Sequence, residues 1–275
     1  MTNRIATIFA QEFRLARRNH WVLLATLILT LFALALGFFG AGQGAGLKAD
    51  VLTLTSSSLA TLSVYLIPLI ALLMSYDAFA GEIERGALGL TFATPVRRWE
   101  VFAGKLLAQV VAVAVAVTLS VTLAGAALAT AFGTSPEGLA AWARLVVSAV
   151  GLGAVFVAVG LMLSAFAARP ARAAAAAIGT WLILVVLYDL ALLGGIMASG
   201  DGAFATRVFP WLVVANPADA FRLYNLAALD AAPVAGIDGL ARTLPFPPET
   251  GLAAIALWLV AALALGIYRT KRIVP

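Results

Sequence analysis

Six apolar runs, each near or above the roughly 20 residues that carry a helix across a bilayer core, leave this chain little choice of architecture. They cover residues 21–40, 56–76, 101–132, 141–167, 173–198 and 251–268. Within hydrocarbon every backbone N–H and C=O needs an internal partner, and a single isolated run meets that need only as a helix. A soluble domain carries about 25% charged residues, whereas this chain carries 11%, with 63% hydrophobic residues and a mean hydropathy of +1.03. Too little polar surface exists to cover a water-exposed fold. The expectation is an all-α polytopic membrane protein, a single transmembrane domain over residues 1–275. Pro68, which lacks a backbone donor, predicts a kink in the second span.

Orientation follows from the lysines and arginines near the span ends. With an inner N-terminus, Arg4, Arg14, Arg17, Arg18, Arg85, Arg97, Arg98, Lys105, Arg169, Arg172, Arg269, Lys271 and Arg272 fall inside, thirteen of the eighteen basic residues. Lys48, Arg144, Arg207, Arg222 and Arg242 fall outside, so both termini are predicted to be cytoplasmic. Residues 2–18 are too charged to span. On a helical wheel Ile5, Phe9, Phe13 and Ala16 share one face, with Arg4, Gln11, Arg14, Arg17 and Arg18 roughly opposite. Residues 1–19 thus read as an amphipathic helix lying on the lipid bilayer; a flexible basic leader is the alternative. The apolar run that follows continues past the length of a signal h-region and reads as a retained first span. A net charge of +5 would raise nucleic-acid binding in a soluble protein. Here the positive charges flank apolar runs, where orientation determinants belong, and no nucleic-acid partner is expected.

The inventory for catalysis is thin. There are no cysteines, one histidine (His20) and four scattered methionines (Met1, Met74, Met162, Met197), so neither a thiolate site nor a histidine cluster is available. No G-x-x-x-x-G-K-[ST] segment occurs, so this chain does not cradle ATP in a P-loop. Gly40, Gly42, Gly44 and Gly46 belong to an outer loop with no strand before it. Gly151, Gly153 and Gly160 permit close helix contact in the fourth span, within the chain or between copies. No metal, cofactor or catalytic residue is expected.

Residues 75–105 interrupt the apolar pattern with four basic residues (Arg85, Arg97, Arg98, Lys105) and four acidic ones (Asp77, Glu82, Glu84, Glu100). Between them Leu88, Leu90 and Phe92 supply apolar anchors, and Thr94-Pro95 predicts a turn. The connector, residues 78–99, is either a rigid lever that fits a cleft on a soluble partner or an interfacial elbow bearing orientation charges.

The long outer segment 199–250 is rich in aromatics and acids. Asn216-Pro217-Ala218-Asp219 reads as a helix start, with asparagine as cap, proline at the first helical position and an acid favouring the dipole. A helix over residues 218–231 follows, with Phe221, Leu226 and Leu229 inward. It is a structural element packed on the spans, an outer partner surface, or both. Asp189 is the one acid well inside a span, where a charge costs about 2.5–3.5 kcal/mol by insertion scales. It is either a proton or cation site or an outer-half acid bonded to a neighbouring helix. The second reading is preferred, since no second ionisable group lies beside it in the predicted spans.

The connector residues Glu82, Glu84-Arg85-Gly86, Thr94-Pro95-Val96-Arg97-Arg98 and Gly104-Lys105 form a pattern that resembles the permease subunits of ABC-2 type transporters. The six spans, the basic N-terminal helix and the long outer segment extend the resemblance over nearly the whole chain. It implies a homodimer bound to a dimer of ABC ATPase subunits, which would hold ATP and Mg. Glu82, Glu84 and Arg85 would meet the ATPase, Leu88, Leu90 and Phe92 would anchor the lever, and Gly86 and Pro95 would set its ends, with Arg97 and Arg98 adjoining. The segments SYDAFAGEIERG (75–86) and NPADAFRLYNL (216–226) are similar, more narrowly, to the permeases of nitrous-oxide reductase maturation. That likeness implies a bacterial inner-membrane location and a periplasmic accessory protein facing Asn216, Pro217, Asp219, Phe221, Arg222 and Tyr224. The lack of cysteine and scarcity of His and Met depart from a simple copper channel: either the cargo is not bare copper, or the chain transmits motion without conducting. Alternatives are an exporter of a drug, lipid or polysaccharide, a proton-coupled carrier using Asp189, and a scaffold for a periplasmic protein.

Overall fold

The computed structural model describes residues 2–17, 20–43, 50–167, 169–199, 202, 204–227 and 246–273. Arg18, the glycines at 44 and 46, Leu229 and the last part of the expected 218–231 helix lie outside the described residues. The described chain is helical and includes six helices or helix runs long and apolar enough to cross a membrane.

In chain order the elements are α1 (Thr2–Arg17), α2 (His20–Gln43), α3 (Val51–Ser75), α4 (Asp77–Glu84), α5 (Ala87–Ala93), α6 (Arg98–Phe132) and α7 (Pro136–Phe166). After α8 (Pro170–Trp181) a π-helical stretch, Leu182–Leu187, leads into α9 (Tyr188–Ser199), and these three together make the fifth span. A second π stretch, Phe204–Val208, precedes α10 (Phe209–Ala215) and α11 (Pro217–Ala227); α12 (Thr250–Thr270) is the last span.

The most buried span is α7, around which α3, α6 and α12 pack. Its small residues explain why. A Cβ on Gly160 would lie 1.9 Å from Ser75 Oγ of α3, and one on Gly153 would lie 2.6 Å from Val113 of α6. Two of the glycines noted in the sequence therefore serve packing inside this chain. At the other extreme the α8–α9 span buries least against its neighbours.

The second span is longer than its hydropathy suggested. Asp50 Oδ2 accepts from Leu52 N at 3.0 Å and Thr53 N at 3.2 Å, so α3 starts five residues before the apolar run. The polar stretch that follows does not break the helix, because Ser56 and Ser57 bond back to the carbonyls of Thr53 and Leu54. At its far end α3 passes through Tyr76 into α4, and the pair runs Val51–Glu84. Asp50 Oδ1 also accepts from Ser135 N at 2.9 Å, tying the start of α3 to the turn between α6 and α7. Asp50→Ala would leave all three N–H groups without this acceptor. Cap losses cost about 0.5–2 kcal/mol, and the expected loss is about 2 kcal/mol, read as earlier unfolding of the purified chain in mixed micelles.

Candidate functional site

Two polar constructions stand out, one at each end of the bundle. At the connector end, α4 prolongs α3, Gly86 reverses the chain with φ +69°, and α5 follows. Glycine suits that left-handed turn because it has no Cβ to clash with the carbonyl. The chain then extends through Thr94 to Arg97, and Glu100 Oε2 accepts from Arg97 N at 2.8 Å to open α6.

One turn further along α6, Lys105 is 2% exposed and its Nζ donates to Glu12 of α1 and to Glu82 of α4, each at 2.6 Å. The same ammonium lies 5.6 Å from the centre of the Phe79 ring, which stacks on Phe102. Beside it, a Cβ on Gly104 would strike Ile8, so α1 lies hard against α6. From the third side, Ser164 Oγ of α7 accepts from Phe79 N at 2.9 Å and Ala80 N at 3.0 Å. Three elements thus meet on one lysine, with α7 holding α4 from behind. A lysine this deep needs its charge compensated, and two carboxylates supply more than enough.

The ten connector residues divide into two sets. Glu84, Arg85, Gly86, Leu90, Pro95 and Arg97 are exposed, with Leu90 at 76%. Leu88 is fully buried, Phe92 is half-buried, and Glu82 is held by Lys105. Arg98 donates to the carbonyls of Lys271 and Ile273 and stacks on Phe92 at 4.7 Å, so it clasps the end of the chain to α5. Glu82 and Arg98, both part of the expected connector, also bond this chain's own cation and carbonyls. Sequence reasoning left Glu12 and the bridging role of Lys105 unread, although both gave a signal. Glu12 falls on the same helical stripe as Ile5, Phe9 and Ala16, and Lys105 sits four residues inside the predicted third span.

At the opposite end Asp189 is not alone. Arg222 of α11 grips it as a fork, Nη1 donating to Oδ2 at 3.1 Å and Nη2 to Oδ1 at 3.0 Å. Arg222 also pairs with Asp219 one turn earlier, and Tyr65 of α3 donates to Asp189 Oδ2 at 3.4 Å. Burial pushes the Asp219 carboxyl well above the usual carboxylate range, with Arg222 opposing that shift. The fork is reached because α10 and α11 fold back onto α3, α7 and α12. Asn216 caps α11 by accepting from Ala218 N at 2.8 Å, and its amide donates at 2.5 Å to Leu184 O inside the π stretch. A π turn shifts the backbone register and makes a carbonyl available to a side chain. Tyr188 donates to Leu212 O, Trp258 to Ala215 O, and Asn225 to Ser148 Oγ. The expectation that Asp189 lacks an ionisable neighbour is therefore corrected, because its partners come from a segment outside the predicted spans. Asn216, Pro217, Asp219, Phe221 and Arg222, read as a partner surface, are buried; of that set Tyr224 alone is half-buried.

Among the described residues no group of three or more His, Cys, Asp or Glu side chains is placed to hold a metal ion. Six membrane-length spans, with α7 the most buried of them and a charged connector pinned to the bundle, define an integral membrane protein. The family model for ABC-2 family transporter proteins matches residues 6–272. The chain belongs to the ABC-2 family of transporter proteins and is a non-catalytic, multi-pass membrane permease subunit of the inner membrane. It is 36% identical over 274 residues to a probable ABC transporter permease protein NosY of Pseudomonas aeruginosa, covering 97% of this chain and 98% of the relative. To a protein of the same description from Stutzerimonas stutzeri it is 33% identical over 274 residues, covering 98% and 99%.

Proposed function

We propose that this permease receives the stroke of a separate ABC ATPase through the connector and passes it to the spans. Both termini and the connector lie on the cytoplasmic side, α1 rests in the interface, and two copies of the chain pair with two ATPase subunits, which hold ATP and Mg. The observation that carries this reading is the division of the connector. Its outer face offers Glu84 and Arg85 beside a 76%-exposed Leu90, while its inner face is locked to α1, α6 and α7. An apolar anchor ringed by charge suits a protein cleft better than water, and a rigid inner face lets a push on α5 reach α1 and two spans at once.

The near-full-length likeness to the NosY proteins supports a narrower role, in copper-site assembly of nitrous-oxide reductase. The far-end segment then serves a periplasmic accessory protein, with Tyr224 and the residues flanking the buried face of α11 nearest to it. With the far-end carboxylates committed to Arg222, the chain acts by transmitting motion and not as a bare-copper conduit.

Glu84→Lys, Arg85→Glu and Leu90→Asp are each expected to lower co-purification of the co-expressed ATPase by about tenfold or more, equivalent to about 1.4 kcal/mol. Full recovery of the ATPase with all three variants would sink the docking assignment. For the narrower role, cells lacking this chain should produce nitrous-oxide reductase deficient in copper; a copper-replete enzyme would redirect the reading to another ABC-2 cargo.

A further inference from the structure

A cavity of about 320 Å³ opens beside the Lys105 hub, walled by α1, α3, α4 and α6. Its polar wall is Glu12, Asp77, Glu82, Arg85, Lys105 and Gln109. Among the described residues three carboxylates there face two cations, which leaves one negative charge in surplus. The hydrogen-bond accounting points the same way. Asp77 Oδ1, Glu82 Oε2 and Gln109 Oε1 are buried and, among the described residues, have no donor. Gln109 is 8% exposed, and its carbonyl has no hydrogen-bond partner among the described residues. Buried acceptors are nearly always paired in native proteins, and three orphans among the residues lining one cavity leave room for a donor that the described residues do not supply. The opposite wall is apolar, with Leu15, Leu73 and Met74. The volume is far beyond the roughly 30 Å³ share of a single water.

We propose that this cavity binds the primary ammonium of an aminophospholipid headgroup. A primary ammonium brings three N–H donors and one positive charge, matching three orphan acceptors and the surplus carboxylate. Arg85, at 3.8 Å from Asp77 Oδ2 and largely exposed on the rim, is placed to meet the phosphate. The apolar wall takes the glycerol and the first methylenes. A choline headgroup carries the same charge but no N–H, so it cannot satisfy the acceptors.

Native mass spectrometry of the full chain, released from nanodiscs of equal phosphatidylethanolamine and phosphatidylcholine in a phosphatidylglycerol background, reads the preference directly. The expected result is one bound phosphatidylethanolamine per chain, retained about tenfold over phosphatidylcholine. Gln109→Leu and Asp77→Asn, neither of which contributes to the Lys105 pairs, should each erase most of that preference. Equal retention of the two lipids by the unaltered chain would overturn the proposal, as would preference undiminished in both variants. In a parallel arm, soluble ethanolamine or putrescine is added to phosphatidylglycerol nanodiscs. Thermal protection there matching that from phosphatidylethanolamine would overturn the lipid assignment in favour of a soluble amine. The unaltered chain alone decides the first comparison, so a variant that fails to fold does not block the test.

Discussion

Arg222→Met is expected to destabilise the purified chain by about 3–5 kcal/mol, the range for removing one partner of a buried ion pair. The side chain of Arg222 is 7% exposed, and those of its partners Asp189 and Asp219 are 14% and 2% exposed. Without the guanidinium two carboxylates face each other in a poorly solvated space, while the fold-back of α11 loses its charged tether to the fifth span. Arg222→Lys should rescue little, because one ammonium cannot reproduce the fork on Asp189. Asp189→Asn and Asp219→Asn added to Arg222→Met should recover most of the loss, since the penalty comes from stranded charge and not from missing attraction. Unfolding in mixed micelles reads all of these. The pH dependence has a definite sign. Burial already raises the Asp219 carboxyl above its unfolded value, and Arg222 is the influence that lowers it. In Arg222→Met the native state therefore binds a proton more readily than the unfolded chain. The variant's stability should rise as pH falls through that raised value and be lost again as pH increases through it. An Arg222→Met chain as stable as the parent at all pH would dismiss the fork as a structural tether.

Lys105→Met is the second large effect, and it falls at the other end. Glu12 and Glu82 keep 14% and 21% side-chain exposure, so their stranded charge is partly solvated and the expected cost is about 3 kcal/mol, the lower end of the range. Its consequence is mechanical as well as thermodynamic. With Lys105 gone, α1 keeps its contacts at Ile8 and Gly104, but α4 loses its charged link to both α1 and α6. Limited proteolysis within α1 should quicken by about tenfold, the factor that corresponds to about 1.4 kcal/mol of easier local opening. In the assembled transporter, ATPase binding should persist, because Glu84, Arg85 and Leu90 are untouched, while hydrolysis no longer drives transport. Adding Glu12→Gln and Glu82→Gln should slow the proteolysis again. Unchanged cleavage in Lys105→Met would show that the hub does not hold α1.

Legibility in the sequence followed the range of the interaction. The six spans were legible because their signal is local: apolar length against bilayer thickness needs no knowledge of neighbours. Asn216 as a cap was legible for the same reason, its donor being two residues away at Ala218. The start of α3 was missed by five residues because residues 51–55 read as the end of an outer loop, whereas the Asp50 carboxylate caps the backbone there and opens the helix at Val51. The contacts that Glu82 and Arg98 make within the chain were not legible, because both sit in a connector full of charge. Which face a charge takes depends on where the nearest counter-group lies, and theirs are Lys105 and the carbonyls of residues 271 and 273.

By itself, then, the sequence determined an all-helical, six-span chain with a charged connector between the second and third spans. Only the tertiary structure decided that Asp189 is paired, that α11 folds inward to pair it, and that Lys105 ties three elements together. The reason is physical. Transfer into lipid is a sum over neighbours in sequence, whereas a charge in a low-dielectric interior is stabilised only by a counter-charge within about 4 Å. For Asp189 that counter-charge stands 33 residues away, and for Lys105 one of the two stands 93 away.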